Sequence, residues 1–449
     1  MRKLCCASAL ALVAACGGGG HDVDPAIIVG GGVTDPGIDG EVNVFVIDED
    51  TDAPLAGATV RVGAVEGTTD AAGLFVATGE LVGKQTIVAR ATGYAASVWV
   101  GVDGANVTIP MTAATATSPD VPQATLAGTI AGWDSLPAPA TGHATVAFVT
   151  YTQSQELGDD QGNDLPPPAP NANVCIRGPG PVQPCAWQLN ARAGTIGVAA
   201  ALADYDSKGT PDESDDTVTI TGFALRHPVT VVDGVDQTGL VLDPLPAGST
   251  TTASVDFGAP PAAFTERAGV VGVELGDLGV LRISQVTPTR NSVVVPSLSA
   301  VAGATGYELL AFAAEPVDDG TAGQSIVLRR GITSPSSLAA GEWLAAPAGL
   351  ASDRSSVSFT PTAGAFAHVV EIETAPAGGG DGIRAMTVVV LDDTTTLALP
   401  VDLAPLPTGA LTVTASAFDP GAGFDVRDFE IEALLDAIQR LAGETIRLD

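Results

Sequence analysis

Alternation of apolar and polar residues across residues 40–111 constrains the fold more than any other feature of this sequence. Val42, Val44 and Val46, for example, fall on one side of an extended chain. This period of two is typical of β-strands that bury one face and expose the other. Turn residues such as Asp and Gly separate successive runs. The stretch therefore predicts a small β-sandwich of about six or seven short strands.

Four sub-motifs, in order along this stretch, resemble the carboxypeptidase regulatory-like domain. They read PLAGATV at 54–60, TDAAGLF at 69–75, VGKQTI at 82–87 and GY at 93–94. The resemblance implies a transthyretin-like β-sandwich over residues 40–112, of the kind with a carbohydrate-binding-like fold. It further implies an accessory or repeat module of secreted and surface proteins, and not a catalytic domain.

The N-terminal residues resemble a bacterial lipoprotein signal peptide at 1–15. Arg2 and Lys3 precede an apolar run that is too short to cross a bilayer, and small residues lead to Cys16. In that family the cysteine becomes the lipidated first residue, and several acyl chains anchor it firmly. Residues 16–39 then form a lipid anchor and flexible tether. The resemblance implies an outer-membrane protein, periplasmic or on the cell surface; the alternative is an ordinary cleaved signal with an incidental cysteine.

Charge narrows the range of partners. The chain carries a net charge of −33, and beyond Lys3 its lysines are Lys84 and Lys208. Such a surface repels the phosphates of nucleic acids, so no nucleic-acid partner is expected. The expected membrane contact is through the lipid at Cys16, and a protein or glycan partner is left open. With 53 glycines, 32 prolines and 4% aromatic residues, the composition suits many short strands around small cores.

The rest of the chain divides into further predicted units. After a Thr/Ala/Pro linker, residues 124–247 repeat the first module in an expanded form, as a second β-sandwich. Residues 248–418 are predicted to be an immunoglobulin- or fibronectin-like β region, and 419–449 a C-terminal segment with a helix. The predicted fold class is thus all-β, with tandem sandwiches and a short C-terminal helix.

Eight strands are predicted in the third unit from their apolar alternation. They span 280–286, 292–295, 306–312, 325–328, 355–359, 368–372, 385–391 and 411–417. The terminal helix is expected to begin at Asp428 as its N-cap, to carry an apolar stripe from Ile431 to Leu441, and to stop at Gly443.

Two cysteines remain after removal of the signal peptide and lipidation of Cys16. Cys175 and Cys185 have nine residues between them. In an exported protein such a pair is expected to form a disulfide. A metal or redox pair would instead need CxxC spacing or a neighbouring histidine, and neither is present.

A metal-site hypothesis concerns the acidic loop at 204–215. Asp204, Asp206, Asp212 and Asp215 are spaced as in calcium loops of the thrombospondin type 3 or dockerin kind, with glycine at the sixth position. Lys208 occupies a place where such loops have an oxygen ligand. The other interpretation is a solvated acidic hairpin with no cofactor.

No catalytic constellation is found. The segment from His368 to Glu371 matches the HxxE pattern of zinc carboxypeptidases, but no later histidine supplies a third ligand, and the two side chains lie on opposite faces of a strand. The predicted function is a non-enzymatic cell-envelope lipoprotein that acts as a structural spacer or an adhesion or interaction module. The alternative is a carbohydrate-binding surface lipoprotein, which an exposed Trp133 or Trp187 beside a groove would favour.

Overall fold

The computed structural model describes residues 27–114, 122–154, 172–210, 216–316, 323–375 and 382–448. Over these ranges the chain forms thirty β-strands and one short α-helix. The fold is all-β, with tandem β-sandwiches and a short C-terminal helix, which confirms the predicted class. Over the same ranges, the single α-helix is too short to span a bilayer.

The strands of the first two modules have the following bounds. The first module contains β1 (Gly32–Gly37), β2 (Asp39–Asp48), β3 (Thr59–Val62), β4 (Val65–Thr68), β5 (Leu74–Val82), β6 (Gln85–Arg90), β7 (Ala96–Val102) and β8 (Gly104–Met111). The second contains β9 (Gln123–Ile130), β10 (His143–Tyr151), β11 (Val174–Arg177), β12 (Trp187–Arg192), β13 (Gly194–Asp206), β14 (Thr217–Val231) and β15 (Gln237–Pro244), with a 3-10 turn at Trp133–Ser135.

The remaining elements lie in the third region, with which we group the C-terminal segment, although β29 pairs with β1 of the first module. Its strands are β16 (Thr250–Asp256), β17 (Glu266–Glu274), β18 (Val280–Val286), β19 (Ser292–Pro296), β20 (Gly306–Ala314), β21 (Gln324–Ile332), β22 (Leu338–Ala339), β23 (Ala348–Ser352), β24 (Ser356–Thr360), β25 (Ala367–Thr374), β26 (Arg384–Val390), β27 (Thr396–Ala398), β28 (Leu411–Asp419), β29 (Phe429–Glu430) and β30 (Arg440–Leu448). The helix α1 is Ile431–Ala437, and 3-10 turns lie at Gly276–Leu278, Leu298–Ala300 and Pro335–Ser337.

The first module is a two-layered sandwich organised around β2. This strand pairs antiparallel with β5 and parallel with β8, while β3 pairs with β4 and β6, and β6 with β7, in the opposite layer. The turn before β5 is closed by Asp70, whose Oδ1 accepts bonds from the amides of Ala72 and Leu74 at 2.8 and 3.0 Å. Gly73 follows with a φ of 74°, a conformation that glycine adopts without steric cost.

The second module repeats this pairing order. Strand β9 pairs antiparallel with β12 and parallel with β15, while β10 pairs with β11 and β13, and β13 with β14. Strands β9–β15 therefore correspond one by one to β2–β8, as the internal repeat predicted. The expansion lies in β13 and β14, of 13 and 15 residues against 6 and 7 for β6 and β7.

The third region contributes two small sheets that pack on one large sheet. The small sheets have the orders β19-β16-β22 and β23-β24-β27. The large sheet has twelve strands in the order β18-β17-β20-β21-β30-β28-β25-β26-β7-β6-β3-β4. All eight strands predicted in this region are present, and each begins within a residue of its expected start. Because the large sheet includes β7, β6, β3 and β4, it continues from the third region into the first module.

Strand β7 departs from the expected alternation, because all seven of its residues are buried. Trp99 and Val102 belong to the core of the first module, whereas Val98 and Val100 belong to a core shared with the third region. The small sheet β23-β24-β27 covers the face that would otherwise meet solvent, and the parallel partner β26 pairs with the edge of β7. Strands covered on both faces are apolar along their whole length.

The end of the chain differs from its predicted form. Helix α1 has Glu430 as its N-cap, without a side-chain capping bond, so the prediction of Asp428 as the cap is wrong. The helix also ends at Ala437, well before Gly443. Residues 440–448 instead form β30, which pairs with β21 and β28 in the large sheet. Strand pairing on both sides here overrides the helical spacing of Ile438 and Leu441.

Candidate functional site

The acidic loop begins at the end of β13 with Asp204 and Asp206, which lie on the same face of the strand. Strand β10 brings His143 directly opposite Asp206. The Nδ1 of His143 lies 2.9 Å from Asp204 Oδ2, and its Nε2 lies 3.8 Å from Asp206 Oδ1. The histidine therefore sits between the two carboxylates. Sequence analysis missed His143, because only the pairing register of distant strands places it there.

Lys208 contacts one of these carboxylates, that of Asp206, from within the loop. Its amide donates a 2.9 Å bond to Asp206 Oδ1, and its ammonium forms an ion pair with Asp206 Oδ2. The side-chain bond from Lys208 is the main reason that the pKa of Asp206 is lowered, with the amide bond second. The ammonium group of Lys208 thus already pairs with Asp206, one of the predicted calcium ligands.

The other two predicted ligands, Asp212 and Asp215, lie outside the described residues, as does Cys16. In the part of the chain that the structure describes, no three His, Cys, Asp or Glu side chains are grouped to hold a metal ion. The choice between a calcium loop and a solvated acidic hairpin at 204–215 is therefore left to experiment.

A second acidic turn, around Asp48, has a structural role. Asp48 Oδ1 accepts bonds from the amide and hydroxyl of Thr51 at 2.9 and 2.7 Å, and Oδ2 accepts a 2.7 Å bond from the Tyr94 hydroxyl. The Tyr94 bond is the main cause of the lowered pKa of Asp48, and it raises the pKa of Tyr94 to about 12. These bonds tie the end of β2 to the loop before β7.

Cys175 and Cys185 form a disulfide, as predicted. Cys175 lies in β11 and Cys185 just before β12, and these are the two end strands of the seven-stranded sheet. The bond therefore joins the two layers of the second sandwich at its open side. Trp133 Nε1 donates a 3.0 Å bond to the carbonyl of Gln183, which holds the enclosed loop onto the core.

His368 is a core residue with 4% of its surface exposed. Its Nε2 accepts a 2.8 Å bond from the Thr362 amide, so the imidazole is neutral with its proton on Nδ1. Burial lowers the pKa of His368, which further favours this neutral form. Glu371 forms an ion pair with Arg384 instead, at 2.7 Å. The HxxE match thus brings no ligand pair together.

All four tryptophans are buried. Trp133 and Trp187, whose exposure would have favoured carbohydrate binding, expose 2% and 1% of their surfaces. Trp99 and Trp343 expose 2% and 9%. A sugar-stacking platform needs an accessible ring face, which none of these side chains offers.

A buried ion pair lies where the second module meets the third region. Glu308 on β20 is fully buried, and its Oε1 accepts a 2.8 Å bond from Arg282 Nε on β18. Arg282 also donates to Gln153 Oε1 at 3.1 Å and to the Ser154 carbonyl at 3.2 Å. Burial raises the pKa of Glu308, and Arg282 opposes that shift. Arg282 thereby links the core of one unit to the residues that follow β10 in another.

Comparisons with known proteins identify no family. No protein-family model matches the chain, and no curated protein sequence matches it significantly. The resemblance to the carboxypeptidase regulatory-like domain therefore has no support from a family model.

Several solved structures match this chain weakly. The Bacillus anthracis TIE protein is 8% identical over 67% of this chain and 49% of its own, with a TM-score of 0.14, so this chain spans about half of its length. Shaft pilin SpaA from Lactobacillus rhamnosus GG is 12% identical over 46% of this chain and 97% of its own, also at 0.14. BcpA, the major pilin subunit of Bacillus cereus, is 10% identical over 63% of this chain and 91% of its own, at 0.13. Likenesses at this level carry no argument about function.

Proposed function

We propose that this chain is a non-enzymatic cell-envelope lipoprotein that serves as a structural spacer or as an adhesion or interaction module. The proposal places the lipid on Cys16 and the tether between Cys16 and β1. Residues 32–39, which were predicted to belong to the tether, form β1 and the start of β2 in the first module instead. The proposal further places the protein at the outer membrane, with the modules facing the periplasm or the cell surface. The partner in this role is another protein.

The observation that carries the proposal is the continuous twelve-stranded sheet. Parallel pairing of β7 with β26, from Ala96–Met386 to Val100–Val390, joins the first module to the third region. An exposed ion pair adds to this junction, since Arg61 Nη1 lies 2.7 Å from Asp402 Oδ2. A backbone ladder across a module boundary resists bending far more than a flexible linker does. Such stiffness suits a protein that holds a binding surface away from a membrane.

The repeat within the chain supports the same proposal. The second module has the pairing order of the first, so one module type is used twice in tandem. We assign the first module to the carboxypeptidase regulatory-like type on the sub-motifs at 54–60, 69–75, 82–87 and 93–94. Modules of that type are accessory units of exported proteins, which fits a spacer.

The anchor is tested by fractionation of cells that produce Cys16→Ser. Wild-type protein should stay with the membranes after a high-salt wash, and Cys16→Ser should move to the soluble fraction because it lacks acyl chains. Cys6→Ser, which changes a cysteine inside the signal peptide, is the matched control and should stay with the membranes. A Cys16→Ser protein that remains membrane-bound after the wash contradicts the anchor.

The interaction role is tested by pull-down from envelope extracts, in parallel with a glycan array, using soluble protein from residue 21 onward. Saturable capture of one envelope protein supports an interaction module. Binding to a defined glycan with no protein captured would favour the carbohydrate-binding alternative instead.

A further inference from the structure

A groove of about 780 Å³ lies between the second module and the third region. One wall is formed by the outward faces of β10 and β14, and the other by β17, β18 and β20. Strand β14 pairs with β13 along nearly its whole length but with β15 only at Ala224 and Leu225. Its first residues therefore stand apart from β15 and leave room for the groove. Junctions between units are common places for ligand sites of this size.

The surface of the groove is mainly apolar. Phe148, Val218 and Ile220 line it on the side of the second module, and Val270 and Leu310 line it on the opposite side. Phe148 exposes 41% of its surface, which is unusual for a phenylalanine on a strand next to another unit. An apolar group of a ligand would remove this surface from water.

The charged side chains that line the groove are positive, whereas the net charge of the whole chain is negative. Arg282 and Arg290 line it, and no Asp or Glu is among its lining residues in the described ranges. The whole chain has 52 acidic residues and 19 Lys and Arg. Arg290 extends from the third region to donate a bond to the Val218 carbonyl on β14, so its guanidinium lies at the mouth of the groove.

We propose that this groove binds an amphipathic carboxylate, with an acyl chain along the apolar walls and a carboxylate at Arg290. Planar guanidinium groups pair with carboxylates through charge-assisted hydrogen bonds. Arg282 lies deeper in the groove, where Glu308, Gln153 and the Ser154 carbonyl fix its orientation. Glu308 offsets the charge of Arg282, so Arg290 supplies the charge for the carboxylate.

The proposal is tested by calorimetric titration of the full chain carrying Cys16→Ser, which removes the lipid attachment point. Decanoate, 1-decanol and decyltrimethylammonium share one alkyl chain and differ in headgroup charge. We expect saturable binding of one decanoate, weaker binding of the alcohol and the weakest binding of the cation. Non-specific attraction to a chain of net charge −33 would give the reverse order, with the cation first.

Two substitutions locate the ligand. Val270→Trp fills the groove and should abolish decanoate binding, whereas Val82→Trp, at a site 69% exposed in the first module, should leave it unchanged. Arg290→Gln should weaken decanoate binding about tenfold and leave 1-decanol binding unchanged, because it removes only the charged contact. Arg427→Gln, an exposed arginine elsewhere, is its control. Melting temperatures confirm that each variant is folded.

Three results would each overturn the proposal: no binding of decanoate, binding of the cation at least as tight as that of decanoate, or decanoate binding to a folded Val270→Trp at wild-type affinity. An equal loss of decanoate and 1-decanol affinity in Arg290→Gln would also count against it. Retention of binding by Arg290→Lys, which keeps the positive charge, would support it.

Discussion

His368 belongs to a sequence pattern that resembles a metal-ligand motif, and Asp48 lies in an acidic turn. Each of them has a structural role in the fold instead. The His368 ring packs against Phe359 with centroids 5.4 Å apart, and its Nε2 holds the Thr362 amide. Asp48 holds Thr51 and Tyr94. In both cases a backbone or side-chain donor at hydrogen-bond distance fixes the role of the residue. Because His368 is buried, loss of its hydrogen bond would leave a buried group unpaired, which costs about 1–3 kcal/mol.

His368 should stay neutral at pH values where an exposed histidine is protonated. Burial lowers its pKa below the usual 6.5 in the folded chain, whereas the unfolded chain takes up a proton near that pH. As the pH falls below about 6.5, the unfolded state therefore binds more protons, and the free energy of unfolding decreases. NMR of the imidazole at pH 6 should show the neutral form.

The same effect is measured by denaturant unfolding at pH 7.5 and 5.5. His368→Gln keeps an acceptor but does not titrate, so it should lose less stability than the wild type between these pH values. It also removes one imidazole signal, which assigns the NMR resonance. An identical loss in both proteins, or a His368 signal that titrates near 6.5, contradicts the prediction.

At the scale of elements, the second module shows how an insertion into a repeated sandwich is stabilised. Strands β3 and β4 of the first module are joined by a two-residue turn, whereas residues 152–173 separate β10 from β11. The short β11 has four pairs with β10. The disulfide from Cys175 to Cys185 fixes this strand to the opposite layer near β12. The extended β13 and β14 carry the acidic loop at their far end.

Removal of the disulfide should destabilise the second module. In the chain-entropy account a bridge across ten residues contributes about 2–3 kcal/mol, because it restricts the unfolded chain. Cys175→Ala with Cys185→Ala should lower the free energy of unfolding by about that amount. Dithiothreitol should lower the melting temperature of the wild type and leave the double variant unchanged. Linked peptides in non-reduced mass spectrometry are expected, and free thiols at both positions would contradict the bridge.

Calcium should not raise the melting temperature of the wild type, because Lys208 already pairs with Asp206 and His143 contacts Asp204. Lys208→Asp replaces the cation by an oxygen ligand and should produce a rise with millimolar calcium, since a ligand that binds only the folded state stabilises it. Adding Asp206→Asn and Asp212→Asn should remove that rise. Calorimetry decides: a calcium-dependent rise in the wild type that Asp206→Asn with Asp212→Asn abolishes would establish the calcium loop instead.

For the whole molecule, the large sheet makes β30 a central element although it is distant in sequence from most of its neighbours. It has nine pairs with β28 and four with β21. Through β28, β25 and β26, this pairing continues to β7 of the first module. Phe429 adds a second link, because its ring stacks on Trp99 with centroids 6.4 Å apart. Phe429, from the C-terminal part of the chain, thus belongs to the core of the first module.

Removal of residues 440–449 should therefore destabilise the molecule beyond the third region. Strands β21 and β28 would lose their shared partner and expose Ser325 and Ala417, which are fully buried. We expect a lower melting temperature, cleavage by proteases in 324–374, and faster amide exchange in β7. Removal of Asp449 alone is the control and should change none of these. Wild-type protection of β7 in the longer deletion would show that the first module does not depend on the common sheet.

The sequence determined the local structure of this protein. Period-two alternation identified most strands, and turn residues such as Asp70 and Gly73 fixed where they end, because these effects depend on neighbours in the chain. Spacing and an exported context also identified the Cys175–Cys185 pair. The repeated order of short motifs predicted that the second module resembles the first.

The tertiary structure decided everything that depends on which distant strands become neighbours. It placed His143 between Asp204 and Asp206 and buried both faces of β7. It also made a strand of residues 440–448, although apolar spacing had assigned the part up to Gly443 to a helix. It also formed the groove from β14 and β18, strands that are well separated in the chain. The physical reason is that pairing register and the packing of one sheet on another arise from interactions between segments far apart in sequence, which local patterns do not encode.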